Sequence, residues 1–474
     1  MRKTKIVCTL GPASSDEGIL EEMLTYGMNV ARVNFSHGDY ITHGQTIDSF
    51  RKVRDKLGIP AAVLLDTKGP EIRTGDFEGG RVVVENGQEF ILTTENILGS
   101  KDKTYISYMN LPKELKVGDY VLIDDGKIKL KVKEIPDDKN IICIVLAGGE
   151  ISNHKGVNVP NVRLDMEYLS EKDKQDILFG IRKKVDYIAA SFMRRADDIK
   201  MLRSFISDNG GSNIKIISKI ENTEGIENFE EILELSDGIM VARGDMGVEI
   251  NFEKLPGIQK RIIKRCQQQG KICITATQML ESMIHSPVPT RAEITDVANA
   301  VFDGTSAVML SGETAMGDYP VDAVRTMAKI AMQAEKDDPR FIQQQNVWHH
   351  MDDKDITNAV GDAACTLAKD IHAKAIIAIT MSGYTAAKMS KFRPPIDIIA
   401  PTPQYRTFNQ LSLEWGVHPV HVESNLNLDV LIAECISEAD KEGFVDKGDK
   451  VVISAGVPLG ITGSTNMIRV EVVK

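Results

Sequence analysis

KIISKIENTEGIENFEEILELSDGIMVARGDMGVEI, residues 215–250, decides how this chain is read. An apolar run around Ile214, Ile216 and Ile217 breaks into charge at Lys219 and Glu221. Side chains alternate faces along an extended strand, so Lys219 and Glu221 leave its end on the same side. A helical stretch follows, then a second apolar strand, Gly238–Val241, which runs into Arg243, Gly244 and Asp245. Two buried strands thus each deliver ionic side chains at their carboxyl ends. Glu221 and Asp245 are hard oxygen donors of the kind that hold Mg²⁺ beside a phosphorylated substrate. Gly244 permits close backbone approach, and a helix opening there aims free N–H groups at an anion. A surface turn with a salt bridge is the plain alternative. It leaves unexplained why a lysine and two acids sit where apolar strands should continue.

Working outward, the same phrase repeats from residue 3 to about 320: short apolar strand, polar punctuation, amphipathic helix. Strands are expected at Thr4–Leu10, Asn29–Asn34, Ala61–Leu65, Tyr187–Ala190, Ile214–Ser218, Gly238–Val241, Ile272–Ala276 and Ala307–Leu310. That is the rhythm of a (β/α)8 TIM barrel, whose active sites collect at the carboxyl-terminal rim of the strands. The rim positions here include Arg32, Asn34, Ser36, Asp66, Thr67, Ser191, Lys219, Glu221, Arg243, Asp245, Thr277, Ser311 and Glu313. The interval from Asp66 to Tyr187 is too long for one helix, and its middle changes to alternating β patterns with turns at Asn86-Gly87, Gly118-Asp119 and Asp125-Gly126. It reads as a small all-β domain inserted in the third βα loop, hung from the rim as a lid. After Asp338-Pro339 a polar stretch marks a boundary; His349 and His350 there read as exposed linker residues. Strand and helix then alternate again, as in a separate α/β domain with an open sheet. The expected organisation is therefore a barrel of residues 1–70 and 158–338, a lid of 71–157 and a C-terminal α/β domain of 339–474.

The chain has 474 residues, ample for two or three domains. A net charge of −11 argues against nucleic acid and anionic membranes as partners, so an anionic substrate needs local cations. No stretch has the apolar length of a membrane span or a signal peptide. The six cysteines are scattered without a CxxC, as expected of buried thiols in a reducing, cytoplasmic setting.

Arg32, Asn34 and Ser36 alternate and can share a face. With Asp66 and Thr67 they offer oxygens carrying one full negative charge, which suits a monovalent cation, although hydrogen-bonded strand ends account for the same residues. Arg32, Arg73, Lys155 and Lys219 supply positive charge for phosphate. In the last domain, Thr380, Ser382, Gly383 and Thr385 stand at a strand-to-helix turn, which reads equally as a phosphate cradle or as a capped turn. Residue chemistry alone leads to a Mg²⁺-dependent enzyme acting on a small phosphorylated anion.

The strings KIVCTLGPAS, MNVARVNFSHG, LLDTKGPEIRTG, KGVNVP, ISKIEN, VARGDMGVEI, TATQMLESM and SGETA, spread in order over the whole barrel, closely resemble pyruvate kinase. That resemblance implies phosphoryl transfer from phosphoenolpyruvate to ADP, giving pyruvate and ATP. It implies Mg²⁺ (or Mn²⁺) on Glu221 and Asp245, and K⁺ on Asn34, Ser36, Asp66 and Thr67. Lys219 would meet the transferring phosphoryl group and the enolate oxygen, and Arg32 and Arg73 would neutralise phosphoryl charge. Gly244, Asp245 and Thr277 would bind the substrate carboxylate. Asn34, Arg73 and Lys155 would reach the nucleotide, and Thr277 and Ser311 would lie near the protonation route. Thr380, Ser382, Gly383 and Thr385 resemble an effector phosphate loop; the facing loop, 455–465, carries no Lys or Arg, which favours a monophosphate effector. The family further implies a homotetramer, and a bacterial type without N-terminal extension or extra C-terminal domain. The readings set against it are a mutase- or aldolase-like barrel enzyme of phosphoenolpyruvate or pyruvate, and a non-enzymatic scaffold.

Overall fold

A computed structural model describes residues 1–338, 355–425, 427–459, 463 and 465–474. His349 and His350, and Gly460, Ile461, Thr462 and Ser464 of the 455–465 loop, lie outside the described residues. Eight parallel strands close into a barrel: β1 Lys5–Thr9, β2 Val30–Asn34, β3 Ala62–Asp66, β4 Tyr187–Ala190, β5 Lys215–Ile220, β6 Gly238–Ala242, β7 Ile272–Ala276 and β8 Ala307–Leu310. Each neighbours the next in sequence, and β8 returns to β1. The strands are apolar and almost wholly buried because barrel strands have packed side chains on both faces. β5 runs two residues beyond the expected Ser218, since its ladder with β6 continues through Lys219 opposite Met240 and Ile220 opposite Val241. Lys219 is thereby fixed in a strand rather than in a loop.

Helices enclose the barrel, with ends set by ordinary capping chemistry. Thr290 and Glu293 form a reciprocal capping box on helix Arg291–Asp303, and Gly304 ends it at a φ of 95°.

Between β3 and β4 lie a seven-stranded sheet and a two-stranded ribbon of Arg81–Val84 with Gly149–Ser152. Strand Ile128–Glu134 shows the alternation expected of a half-buried sheet: Ile128, Leu130 and Val132 go inward, Lys129, Lys131 and Lys133 outward. The insertion has its own apolar core, around Phe90, Leu92, Ile123 and Ile141. Its two connections to the barrel pair with each other, Arg73 opposite Gly156 and Ile72 opposite Val157. That pairing brings Arg73 and Lys155 to the barrel mouth.

The last sheet contains β9 Ala375–Ala378, β10 Asp397–Thr402, β11 Val417–His421, β12 Lys450–Gly456 and β13 Thr465–Val472, in the order β11-β10-β9-β12-β13. Its first four strands are parallel and β13 is antiparallel. The segment between β10 and β11 seals the amino-terminal floor of the barrel. Leu413 joins the interior cluster of Val7, Val30, Leu64, Tyr187, Met240 and Met309. Around it the Tyr187 hydroxyl donates to Gln410 O at 2.7 Å, Gln410 Nε2 to Asn213 O at 2.9 Å, and Lys5 Nζ to Val417 O at 2.6 Å. Among the described residues no helix is long and apolar enough to cross a membrane. Leu413→Ala should cost about 2–5 kcal/mol through lost transfer energy and the cavity left behind. Denaturant unfolding checks this; a loss below about 1 kcal/mol would mean that the floor repacks without it.

Candidate active site

A cavity of about 530 Å³ opens between the carboxyl-terminal rim of the barrel and the insertion. Arg32, Asn34, Ser36, Arg73, Lys155, Lys219, Glu221 and Asp245 all line it. Asp66, Thr67, Gly244, Thr277 and Ser311 stand outside its lining, and most of them reach it through a neighbour.

At the wall of the cavity a fully buried Asp66 joins two cations. Arg32 Nε meets Asp66 Oδ2 at 2.6 Å, and Lys219 Nζ meets Oδ1 at 3.1 Å. Adjacent strands β2 and β3 make this possible, because they pair Asn34 with Asp66 and so bring their carboxyl-terminal residues level. Arg32 also donates to Thr9 Oγ1 at 2.8 Å, and Lys219 to Ser191 Oγ at 2.8 Å. Burial by itself would raise the Asp66 carboxyl, but Arg32 and Lys219 outweigh it and hold the group below its usual range. Burial would likewise lower the Lys219 ammonium; Asp66, Glu221 and Asp245 reverse that and keep it charged.

Glu221 has the opposite environment. Burial raises its carboxyl to about 7, Lys219 opposes the rise and the charge of Asp245 adds to it. Oε2 accepts the Phe192 N–H at 2.6 Å, a donor aimed by a left-handed backbone at Phe192, φ 52°. Oε1 lies 2.9 Å from Lys219 Nζ yet is buried without a hydrogen-bond donor in line with it. A buried carboxylate oxygen left this way fits a cation between Glu221 and Asp245. Among the described residues no three His, Cys, Asp or Glu side chains converge. An ion here would therefore have two protein carboxylates and draw the rest of its shell from substrate and water, as Mg²⁺ does.

Asn34 and Ser36 face the cavity, whereas Asp66 and Thr67 lie behind it. Asn34 Oδ1 accepts the Ser36 N–H at 3.1 Å. Arg73 is held by Glu71 at 2.8 Å and by His154 O at 2.7 Å, and Lys155 pairs with Asp124 at 2.8 Å. Just past the insertion, Asn158 Nδ2 donates to Glu249 Oε1 at 2.9 Å and ties the returning chain to the barrel.

Arg243 corrects the sequence-based picture of an ionic rim. Its side chain leaves the cavity for the segment after β7, where it pairs with Asp296 and takes the carbonyls of Thr277 and Gln278. Both residues have left-handed backbones, with φ of 66° and 53°, a strain of about 1–3 kcal/mol each that such contacts must offset. Thr277 Oγ1 accepts the Gly244 N–H at 2.8 Å, which ties it to the start of helix Arg243–Glu249. Ser311 donates its N–H to Glu313 at 2.7 Å, and its buried hydroxyl has no hydrogen-bond partner among the described residues. The Thr9 and Phe192 contacts are the ones sequence reasoning missed. Thr9 had only its strand-end position to mark it, and a backbone N–H leaves no mark at all.

Comparison with known proteins settles the lineage. The profile described as pyruvate kinase, barrel domain matches residues 1–324, and the one described as pyruvate kinase, alpha/beta domain matches 358–471. The chain belongs to the pyruvate kinase family. It is 48% identical to the pyruvate kinase of Clostridium acetobutylicum over the full length of both chains. It is also 48% identical to that of Staphylococcus haemolyticus, covering all of this chain and 81% of that protein. A crystal structure of a pyruvate kinase from Cryptosporidium parvum superposes with a TM-score of 0.93 at 40% identity, covering 100% of this chain and 96% of the other. The chain is thus a phosphotransferase, and neither a lyase reading nor a scaffold reading is needed.

Asp66→Asn should destabilise the protein by about 3–5 kcal/mol, because it strands the buried Arg32 and leaves Lys219 with Glu221 alone. In the native chain the lowered Asp66 carboxyl gives stability that is full above the ordinary carboxylate range and is lost as pH falls through its folded value. The raised Lys219 ammonium gives stability that is full below the ordinary lysine range and is lost as pH rises through its folded value. The wild-type advantage over Asp66→Asn in thermal unfolding should therefore hold from about pH 4 to pH 10 and shrink outside that window. An advantage that peaked at the acid end would contradict the assignment.

Proposed function

We propose that the chain transfers the phosphoryl group of phosphoenolpyruvate to ADP, giving pyruvate and ATP, with Mg²⁺ (or Mn²⁺) and K⁺. The observation that carries this reading is Lys219. Its ammonium is held charged by Asp66, Glu221 and Asp245 at the wall of a cavity that also gathers Arg32, Arg73 and Lys155.

In the reaction the bond from phosphorus to the enol oxygen breaks, and a β-phosphate oxygen of ADP forms the new one. The enolate left behind takes a proton at carbon 3. Arg32 and Arg73 bind the phosphoryl oxygens, and Lys219 stabilises the charge that grows on the enolate oxygen. The N–H groups of Gly244 and Asp245, with Thr277, bind the substrate carboxylate at a helix start. Asn34, Arg73 and Lys155 bind the nucleotide, and Thr277 and Ser311 flank the protonation route. Glu221 and Asp245 would hold Mg²⁺, which supplies neutralisation of phosphate charge when bound. Asn34, Ser36, Asp66 and Thr67 would provide the low-charge oxygens for K⁺. Residues 1–70 and 158–338 make the catalytic barrel, and 71–157 act as its lid, a reading supported by Arg73 and Lys155, which line the same cavity as the barrel residues. Family membership also favours a cytoplasmic homotetramer, whose mass light scattering reads directly.

Lys219→Met should lower kcat on the order of 100-fold or more, with a much smaller change in KM. ATP formation in a coupled assay should also require a divalent ion and K⁺. An effect of Lys219→Met confined to KM would remove its role in the transition state.

The C-terminal domain, residues 339–474, is read as regulatory. Thr380, Ser382 and Thr385 line a smaller cavity there, beside Gly383, which opens helix Tyr384–Lys391 at a φ of 86°. Thr380 Oγ1 accepts the Gly383 N–H at 2.9 Å and Thr385 Oγ1 meets Thr465 Oγ1 at 2.8 Å, so Ser382 is the exposed hydroxyl of the loop. The described lining contains Glu423 and neither Lys nor Arg, which disfavours a second dianionic phosphate. A monophosphate such as AMP or ribose 5-phosphate should therefore lower the half-saturating phosphoenolpyruvate concentration with little change in kcat. Activation by micromolar fructose 1,6-bisphosphate alone would overturn the choice of effector.

A further inference from the structure

Arg243 begins the helix whose third residue, Asp245, faces the substrate cavity, yet its own side chain turns the other way and is nine-tenths buried. Nη2 donates to Thr277 O at 2.7 Å and to Gln278 O at 3.1 Å, while Nε lies 3.3 Å from both Ala276 O and Thr277 O. Nη1 completes an ion pair with Asp296 at 2.7 Å, across to helix Arg291–Asp303. Three successive carbonyls converge on one guanidinium because Thr277 and Gln278 both hold left-handed backbones. Only a planar fork with five donors gathers several acceptors in this way; a lysine ammonium at the same place is a compact point charge on a shorter fan of bonds.

Thr277 is gripped from its other end as well. Its Oγ1 accepts the N–H of Gly244 at 2.8 Å and donates to Ala276 O at 2.7 Å. Consecutive residues 243 and 244 thus hold one threonine by its carbonyl and by its hydroxyl. Without the guanidinium, residues 277 and 278 are free to relax toward ordinary negative φ, which swings the hydroxyl away from the helix start.

We propose that Arg243 is a positioning residue for the phosphoryl transfer: its guanidinium, with Asp296 as counterion, holds the Thr277 hydroxyl at the start of helix Arg243–Glu249, where that hydroxyl turns its proton from Ala276 O to the substrate carboxylate. This rests on the reading of Thr277 and Gly244 given above and extends it to a group that never touches substrate. Arg243 acts on the reaction only through Thr277, and that sets it apart from a residue that merely stabilises the barrel.

The test is a double-mutant cycle of Arg243→Lys and Thr277→Ala on the full chain, with steady-state kinetics and thermal unfolding of each protein. Arg243→Lys should lower kcat/KM for phosphoenolpyruvate about 10- to 100-fold, as expected for a displaced catalytic contact, and leave KM for ADP unchanged. On the Thr277→Ala background the same change should cost less than about threefold, because the group it positions is gone. Asp296→Asn keeps the guanidinium and loosens its anchor; it should give a smaller loss of the same kind that also vanishes in Thr277→Ala. It carries the test should Arg243→Lys fail to fold. Multiplicative losses in the cycle, or equal rises in KM for both substrates, would overturn the proposal while leaving the role of Thr277 intact. Wild-type turnover by Thr277→Ala would overturn both.

Discussion

A carboxylate with no contact to solvent, Asp66, holds the catalytic rim together. Removing it would leave Arg32 and Lys219 as like charges in a low-dielectric wall, an arrangement that proteins do not sustain. With it, both cations stay ionised and stay put, and the cavity receives positive charge whose orientation is settled before substrate arrives. The adjacent carboxylate, Glu221, is under-satisfied where Asp66 is fully paired. Asp66 is thus shared between two protein cations, whereas Glu221 meets Lys219 alone and keeps hydrogen-bonding capacity on Oε1.

Strain is distributed in the same functional way. Phe192 and Thr277 carry left-handed backbones, and each sets a polar group on a rim neighbour: the Phe192 N–H on Glu221, and Thr277 Oγ1 on the Gly244 N–H. Neither is a glycine, so each conformation depends on neighbours that hold it, such as Arg243 behind Thr277.

Much of this was legible in the sequence. Apolar runs bounded by polar punctuation located all eight barrel strands, since burial on both faces leaves a signal in every residue. The side chains that line the rim cavity were legible for a related reason: Lys219 and Glu221 interrupt strands that burial would otherwise keep apolar. What could not be read depends on long-range geometry. Arg243 looks like the other rim cations in sequence, and only the backbone turn at Thr277 and Gln278 draws it away from the cavity. Leu413, one leucine among many, gives no hint that it belongs to the interior of a barrel whose last strand ends about a hundred residues earlier. Backbone donors such as the Phe192 N–H carry no residue code.

That leucine has a consequence for the order in which the molecule can be completed. A ribosome delivers the eight barrel strands first and residue 413 well after them. Until it emerges, the barrel interior is open at its lower end, with Val7, Leu64 and Met240 lacking one apolar neighbour and Tyr187 lacking its carbonyl acceptor. The barrel is thus finished by a part of the chain that belongs to another layer of the fold, and its interior is fully packed only once residue 413 has been made.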